Sequence, residues 1–300
     1  MPTAEIKAFR ITTTLPTEPS PSTAVPTYVP CDASEKYCIE EGHFFLDRPI
    51  SLPGVDTIDR GYPYGSTEGG QRDPHHGVEF YNASGTPVEA AADGLVIVVG
   101  EDNQTVYGPQ LNFYGNIIIL KHAFPGIPQP VFTVYGHLSK VDVQTGQMVQ
   151  RGDKIGEVGA SGEAIGSHLH FEVRLGQNNY DSNRNPVLWM KPLTGSDGAS
   201  YGVIAGRLVD ARRKTLYTTN LNIQYFLNAS QLQVTAYQVE TYATEKQPVH
   251  GDNLWDENFT LSDIPAGNYR LSLMWGGKLY DRWVVVLPGK LTIVIFQIDK

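Results

Sequence analysis

The chain has 300 residues, of which 41% are hydrophobic and 18% charged, and its formal net charge is −9 at pH 7. This length predicts about two domains of roughly 150 residues, each able to bury a core. The acidic charge argues against nucleic acid or an anionic membrane as the main partner. No run approaches the ~18 apolar residues of a membrane-spanning helix, so we expect no transmembrane segment.

The first 30 residues are dense in proline, serine and threonine, as in Leu15–Thr23. This composition predicts that residues 1–30 are an extended tether rather than a packed domain. The N-terminus has no apolar signal core, so we expect an export signal or an anchor to lie outside this sequence.

Residues 31–70 form a predicted N-terminal extension that contains both cysteines of the chain, Cys31 and Cys38. Two cysteines so close together fit a small disulfide made in an oxidising compartment, and two reduced thiols are the alternative. A disulfide would place the protein outside the cell or in the cell envelope. The remainder of this extension is rich in turn residues, which favours a surface loop over a wall of the functional site.

Residues 71–195 are predicted to form the first full domain. Apolar and aromatic residues alternate there with polar ones, between glycine and proline turns, which indicates short β-strands and an all-β fold. The predicted strands are residues 76–81, 88–99, 116–122, 131–138, 147–158 and 168–175. Six of the eight histidines of the chain lie between residues 75 and 170, so we expect the chemistry in this domain.

Side-chain alternation along two of these strands brings possible metal ligands onto shared faces. In the strand that begins at His168, positions 168 and 170 point the same way, so His168 and His170 lie side by side. In the strand near residue 76, His75 and Glu79 share one face with only Gly77 between them. A third apolar run, residues 134–138, presents His137.

Two histidines and a carboxylate can hold a catalytic zinc and leave a position for water. His75, Glu79 and His170 supply such a set, with His168 and His137 left over. The sequence has no His-Glu-x-x-His motif, so we expect a histidine to act as the base. A serine mechanism is disfavoured because Gly159–Glu163 lacks the second glycine of a nucleophile elbow.

These motifs occur in the order seen in a known family. The motifs are His75-x-Gly77-Val78-Glu79, Tyr114-Gly115-Asn116, Tyr135-Gly136-His137-Leu138 and His168-Leu169-His170-Phe171-Glu172. Over about residues 71–175 the chain resembles the lysostaphin-type (LytM) zinc metallopeptidases, which have the duplicated-hybrid-motif fold. The resemblance implies an antiparallel β-sheet domain with an open groove, one zinc ion on its floor, and cleavage of peptide bonds in peptidoglycan.

The resemblance also assigns roles by matching position. It implies that His75, Glu79 and His170 bind zinc, and that His137 and His168 are the unligated catalytic pair that handles protons. One departure is Glu79, where the family usually has an aspartate, so the carboxylate sits one methylene further out. The competing hypothesis is a non-catalytic module with a degenerate metal site, which binds the envelope or activates another hydrolase.

Residues 202–300 contain about seven short alternating runs, which predict a small β-sandwich. The turns at Pro265–Tyr269 and Leu287–Lys290 resemble those of carboxypeptidase-regulatory or prealbumin-like domains. This resemblance implies an accessory domain that contacts a cell-envelope polymer, and a cap without a ligand is the alternative. His250 is the only histidine there, and we expect no chemistry in this part.

Overall fold

A computed structural model describes residues 37–195, 198, 200–227, 233–243 and 249–299. The predicted tether at residues 1–30 and the predicted disulfide partner Cys31 lie outside the described residues. Cys38 is disulfide-bonded, and Cys31 is the only other cysteine of the sequence. In the described ranges, no helix is long and apolar enough to cross a membrane.

The regular structure is almost entirely β, which confirms the predicted fold class. Two short 3-10 turns occur, at Tyr180–Ser182 and Pro186–Leu188. The first eleven strands are β1 (Tyr37–Glu40), β2 (Val78–Tyr81), β3 (Pro87–Glu89), β4 (Gly94–Glu101), β5 (Asn116–His122), β6 (Val131–Leu138), β7 (Lys140–Val141), β8 (Met148–Val149), β9 (Lys154–Glu157), β10 (His168–Leu175) and β11 (Asn183–Arg184).

Strands β2 to β11 build two sheets. An antiparallel seven-stranded sheet has the order β11-β10-β6-β5-β4-β8, with β2 paired to β10, and a smaller sheet has the order β3-β9-β7. The predicted strand 147–158 is divided into β8 and β9 because a turn closes between them. In that turn Asp153 N donates to Gln150 O at 3.0 Å, and Gly152 takes the left-handed φ of 83°.

The predicted strand 88–99 is divided as well. The small residues 90–93 carry the chain from β3 in one sheet to β4 in the other. Ala90 N donates to Asp153 O and Gly152 N donates to Ala90 O, both at 2.9 Å, so this corner is fixed against the turn at 150–153. The sequence does not reveal this corner, because the short apolar run at residues 90–92 is also compatible with a strand buried on both faces.

The C-terminal part is a sandwich of two four-stranded sheets. Its strands are β12 (Gly202–Val209), β13 (Asn220–Phe226), β14 (Gln233–Glu240), β15 (Phe259–Ile264), β16 (Gly267–Trp275), β17 (Lys278–Val286) and β18 (Leu291–Gln297). We call β1-β18-β12-β15 the inner sheet and β14-β13-β16-β17 the outer sheet. The facing sides of the two sheets share one apolar core.

The inner sheet is covered on both faces, which explains why its central strand has apolar residues at successive positions. Ile204 and Leu208 of β12 pack into the sandwich core. Val203 and Ala205 of the same strand instead pack with the core of the seven-stranded sheet. Strands buried on both faces have near-continuous apolar sequences for this reason. The domain bounds 71–195 and 202–300 stay a prediction. The inner sheet contributes residues to both apolar cores, that of the seven-stranded sheet and that of the sandwich.

The N-terminal extension contributes a strand to the sandwich. In β1, Tyr37 pairs with Val294 and Glu40 pairs with Leu291, antiparallel to β18. Lys290 Nζ lies 2.5 Å from Glu41 Oε1 just beyond this pairing. The N-terminal extension therefore begins as an edge strand of the inner sheet, paired with the last strand of the sequence.

A buried acidic pair links the extension to the sandwich. Glu257 is 1% exposed, accepts from Asp252 N at 2.7 Å, and accepts from the Tyr242 hydroxyl at 3.1 Å. His43 Nε2 lies 3.2 Å from the Asp252 carboxylate. Burial, and next the nearby Asp252, raise the pKa of Glu257 to about 8.

Glu257 is expected to make the folded protein less stable as pH rises from about 4.5 to about 8. In this window the unfolded chain has released the Glu257 proton and the folded chain still holds it, so raising the pH favours unfolding by roughly 1.4 kcal/mol per pH unit. Glu257→Gln should remove this part of the pH dependence. Urea unfolding of both proteins at pH 5.5 and pH 8 tests it, and equal losses of stability in the two proteins would contradict the assignment.

Candidate metal centre and groove

An open groove of about 660 Å³ passes over β2, β6 and β10. All five residues predicted to form the site line it: His75, Glu79, His137, His168 and His170. Each is at least nine-tenths buried, so the groove floor holds an unusual density of desolvated polar side chains.

Strand pairing brings three of these residues together. In the β2–β10 ladder Glu79 is the direct cross-strand partner of His170, and residues in this position have neighbouring side chains. His75 Nε2 and His170 Nδ1 each lie 2.9 Å from Glu79 Oε1, and the two nitrogens are 3.4 Å apart. Within the described residues, this is the group of histidine and acidic side chains arranged to hold a metal ion.

The second nitrogen of each of these two imidazoles is already engaged. His75 Nδ1 donates to the Tyr62 carbonyl at 2.6 Å, and the Tyr62 ring stacks on the His75 ring with 4.2 Å between centroids. His170 Nε2 donates to Glu172 Oε1 at 3.0 Å. In the neutral imidazoles these contacts leave His75 Nε2 and His170 Nδ1 as the nitrogens with a free lone pair, and both lie beside Glu79. Such outer hydrogen bonds orient metal-binding histidines.

The electrostatics of the group favour a cation. Burial by itself would raise the pKa of Glu79, but the His170 and His75 imidazoles hold it well below its usual range. Burial by itself would lower the pKa of His170, but the Glu79 and Glu172 carboxylates raise it to about 10. Glu79 Oε2 is buried without a hydrogen bond to any described residue and lies 3.3 Å from His168 Nε2. A carboxylate with an unsatisfied buried oxygen and two imidazole donors suits a divalent metal.

The donor set and its spacing fit zinc. Tetrahedral zinc with ligand distances of about 2.0–2.2 Å spaces its ligands roughly 3.3–3.6 Å apart. The three separations here are 2.9, 2.9 and 3.4 Å, which is within roughly half an ångström of that spacing. Glu79 reaches both nitrogens with one oxygen, so the strand geometry accommodates the extra methylene that distinguishes it from aspartate.

Gly77 is required by the close approach of β2 and β10. A Cβ atom at this position would lie 2.6 Å from the Phe171 carbonyl oxygen and 2.8 Å from His170 Nε2. The sequence pattern predicted open space between His75 and Glu79. The structure shows that the imidazole of His170 fills it.

His137 and His168 stand beside the metal-binding group without belonging to it. Their ring centroids are 4.8 Å apart, and the His137 ring is 5.8 Å from the His170 ring. His137 Nδ1 donates to Ser161 O at 2.8 Å, and His168 Nδ1 donates to Gly166 O at 3.1 Å. Burial, and next the nearby His170, lower the pKa of His137 to about 4, so this imidazole is neutral at pH 7.

A bulge in β6 aims His137 into the groove. Ile118 pairs with Tyr135 and Asn116 pairs with Leu138, so two residues of β6 lie opposite Ile117 alone. His137 has a φ of 61°, which is uncommon for a residue other than glycine. Simple alternation would place His137 on the same side as Tyr135, in the apolar core, and the bulge turns it to the side of His170.

Two residues of the site were missed by the sequence interpretation, although they share the parity of His168 and His170. Glu172 and Arg174 continue the same face of β10, and both side chains are 0% exposed. Arg174 Nε donates to Glu172 Oε2 at 2.8 Å, and the Tyr114 hydroxyl donates to Glu172 Oε1. The alternation along residues 168–174 was the signal that could have identified this buried chain of charges behind His170.

The remaining candidates have structural positions. His76 stacks on Tyr180 with 3.7 Å between ring centroids, and it lines the groove outside the His75, Glu79 and His170 group. His122 Nδ1 donates to Asp93 O at 2.8 Å, and its Nε2 lies 2.8 Å from the Thr133 hydroxyl. Tyr64 is buried and hydrogen-bonded to Asn183 rather than directed into the groove.

Comparisons with known proteins agree with this geometry. The model of peptidase family M23 matches residues 73–182. The chain is 34% identical over 129 residues to the peptidoglycan DD-endopeptidase ShyB of Vibrio cholerae, covering 43% of this chain and 27% of that protein. It is 34% identical over 128 residues to the DD-carboxypeptidase/endopeptidase Mpg of Neisseria meningitidis, covering 42% and 26%.

Among solved structures, the catalytic domain of the antimicrobial peptidase lysostaphin from Staphylococcus simulans is 31% identical, with a TM-score of 0.35, covering 43% of this chain and 88% of that one. The matched region corresponds to only about a quarter of the length of the curated relatives named above. The match does include every predicted site residue, from His75 to His170. Residues 73–182 therefore form a peptidase M23 domain of the lysostaphin (LytM) type.

Proposed function

We propose that this protein is a zinc metalloendopeptidase that hydrolyses peptide bonds in the cross-links or stem peptides of peptidoglycan. The observation that carries the proposal is the convergence of His75 Nε2, Glu79 Oε1 and His170 Nδ1 on the floor of an open groove. His137 and His168 lie beside them with their Nδ1 atoms held by backbone carbonyls. The names of the relatives support peptidoglycan as the substrate.

In this proposal His75, Glu79 and His170 hold one zinc ion per chain. Bound zinc supplies Lewis-acid polarisation of a substrate carbonyl and acidifies a water molecule toward a pKa of ~7. The chain itself supplies the orientation of the ligands, through Tyr62 on His75 and through Glu172 on His170. The groove supplies an extended surface on which a peptide can lie across the site.

His137 and His168 would move the protons. Both rings line the groove, and donation from Nδ1 to a carbonyl leaves Nε2 of each neutral ring as the basic nitrogen. One of the two would accept the proton of the attacking water through Nε2. The other, when protonated, would stabilise the oxyanion that develops on the carbonyl or donate to the leaving amine.

The location and the partners of the protein are inferred from its disulfide and its net charge. The disulfide at Cys38 favours an oxidising compartment, so we place the protein outside the cell or in the cell envelope. The net charge of −9 agrees with peptide rather than nucleic-acid partners. The C-terminal sandwich would contact a cell-envelope polymer as an accessory.

The direct test is the zinc content of the full chain, purified without chelators or a histidine tag, beside a His170→Ala control. About one zinc per chain is expected in the parent and little in the control. The zinc-loaded parent is then incubated with purified peptidoglycan, and released peptides are identified by mass spectrometry. Zinc binding without any cleavage would refute the endopeptidase activity.

One observation favours a second candidate function. Glu79 stands where the family usually has aspartate, and a protein with an impaired metal site could bind peptidoglycan without cutting it. Absence of zinc from the parent even after incubation with the metal, together with binding to peptidoglycan sacculi in a pelleting assay, would support that non-catalytic module.

A further inference from the structure

A second cavity lies next to the groove on the side of His168. It has a volume of about 580 Å³ and shares Tyr81 with the groove. Ser167, the residue before His168, also lines it. Tyr81 is the cross-strand partner of His168, with 5.5 Å between their rings, so the cavity begins directly beside the proposed proton-transfer pair.

One wall of this cavity comes from outside the residues that match the family. Residues 51–55, which we call the ledge, belong to the N-terminal extension, and the family match begins at residue 73. The opposite wall is formed by residues 81–89. The ledge therefore lies outside the residues that the family model matches.

The ledge is held in place by specific hydrogen bonds. Asn82, which follows β2, accepts from Val55 N at 2.7 Å and donates to Val55 O at 2.9 Å, so its side chain substitutes for a strand partner. Gly54 N donates to Ser51 O at 2.9 Å, and the Ser51 hydroxyl donates to Glu89 Oε1 at 2.6 Å. Both ends of the ledge are thus attached to the strands of the peptidase domain.

This fixed ledge exposes apolar surface to the cavity. Leu52 is 81% exposed, Val55 is 50% exposed and Tyr81 is 49% exposed, and all three line the same cavity. Clustered apolar side chains held at the surface by a rigid backbone mark a binding site. Glu89 is the charged residue among those that line this cavity, so a carboxylate of a ligand would be repelled there.

We propose that the ledge is a specificity subsite, which binds an uncharged peptide segment with short apolar side chains on one side of the scissile bond. This inference rests on the proposed function. The occupant is the substrate itself, because the cavity and the groove share Tyr81, which pairs with His168 across the strands. Leu52 and Val55 provide the apolar contact, and Asn82 is a positioning residue that holds them.

The test uses the zinc-loaded full chain and synthetic peptides that contain the cleaved cross-link. One peptide is minimal, and the others carry three alanines or three glutamates added at either end. We expect alanines at one end to raise kcat/KM by about tenfold over the minimal peptide, as expected for burial of a leucine-sized apolar surface, and glutamates there to give no gain. Leu52→Asp should abolish the gain and leave the minimal peptide unchanged, and Leu52→Met should preserve it.

Met148→Asp is the matched control, because Met148 is 69% exposed and lies in β8 outside both cavities. It should alter none of these values. Equal effects of Leu52→Asp on all peptides, or no effect on any, would overturn the subsite. If the parent cleaves no peptide, the proposed function fails, and the ledge is tested separately by calorimetry. Binding of the alanine-extended peptide should then be about tenfold weaker in Leu52→Asp, and equal affinities would refute the subsite.

Discussion

Replacing His137 or His168 by alanine is expected to lower kcat by about 10²–10⁴-fold, the usual contribution of a positioned acid or base, while zinc content stays near that of the parent. Both rings lie in the groove but outside the triangle formed by His75, Glu79 and His170. Their Nδ1 atoms are hydrogen-bonded to the carbonyls of residues 161 and 166, so removing either ring takes away a proposed proton carrier and leaves the three proposed metal ligands in place.

The comparison with His170→Ala separates the two roles. That variant should lose both zinc and activity, whereas the His137 and His168 variants should lose activity alone. Zinc is measured by elemental analysis on the same preparations that are assayed for peptide cleavage. Equal loss of zinc in all three variants would show that the division between ligands and proton carriers is wrong.

Arg174→Met is expected to destabilise the folded protein by about 3–5 kcal/mol, because it leaves the Glu172 carboxylate buried without its cation. Burial by itself would raise the pKa of Glu172, but Arg174, and next His170, lower it to about 2. The folded protein therefore carries Glu172 as a buried anion, and the loss of Arg174 removes its largest favourable charge interaction. The free energy of unfolding from urea titration at pH 7 measures the effect.

The same variant should weaken zinc binding, since Arg174 holds the Glu172 carboxylate that in turn orients His170 through its Nε2 atom. Loss of such an outer partner typically costs about 10–100-fold in metal affinity. Tyr114→Phe is the comparison, because it removes one hydrogen bond to Glu172 and keeps the ion pair. Its loss of stability should be smaller, about 1–3 kcal/mol. A similar loss in the two variants would contradict the assignment of the ion pair as the dominant contact.

Much of the peptidase domain could be predicted because strand alternation is a local property. Successive side chains of a strand point to opposite faces whatever surrounds it. This rule placed His168 with His170 and His75 with Glu79, and the structure has both pairs on the groove floor. The order of the four motifs indicated the resemblance to the lysostaphin-type metallopeptidases. The roles of the five residues stay predictions until the variants are measured.

The position of His137 could not be obtained from alternation. Its direction depends on the bulge opposite Ile117 and on a left-handed backbone, and both are set by the pairing of β5 with β6. The contact between Tyr62 and His75 was equally hidden, because the two residues are 13 positions apart and the chain between them is irregular. Irregular segments have no periodicity from which a contact can be inferred.

The sequence by itself determined that the chain is all-β, that its histidines gather in one region, and that two strands carry possible metal ligands on shared faces. These are consequences of composition and of a period of two residues. The tertiary structure alone decided which faces meet, through the pairing of Glu79 with His170. It also decided that β1 joins the sandwich and that the ledge at residues 51–55 lines a cavity beside the groove. Such contacts join residues far apart in the chain, and their register is set by packing that no local pattern encodes.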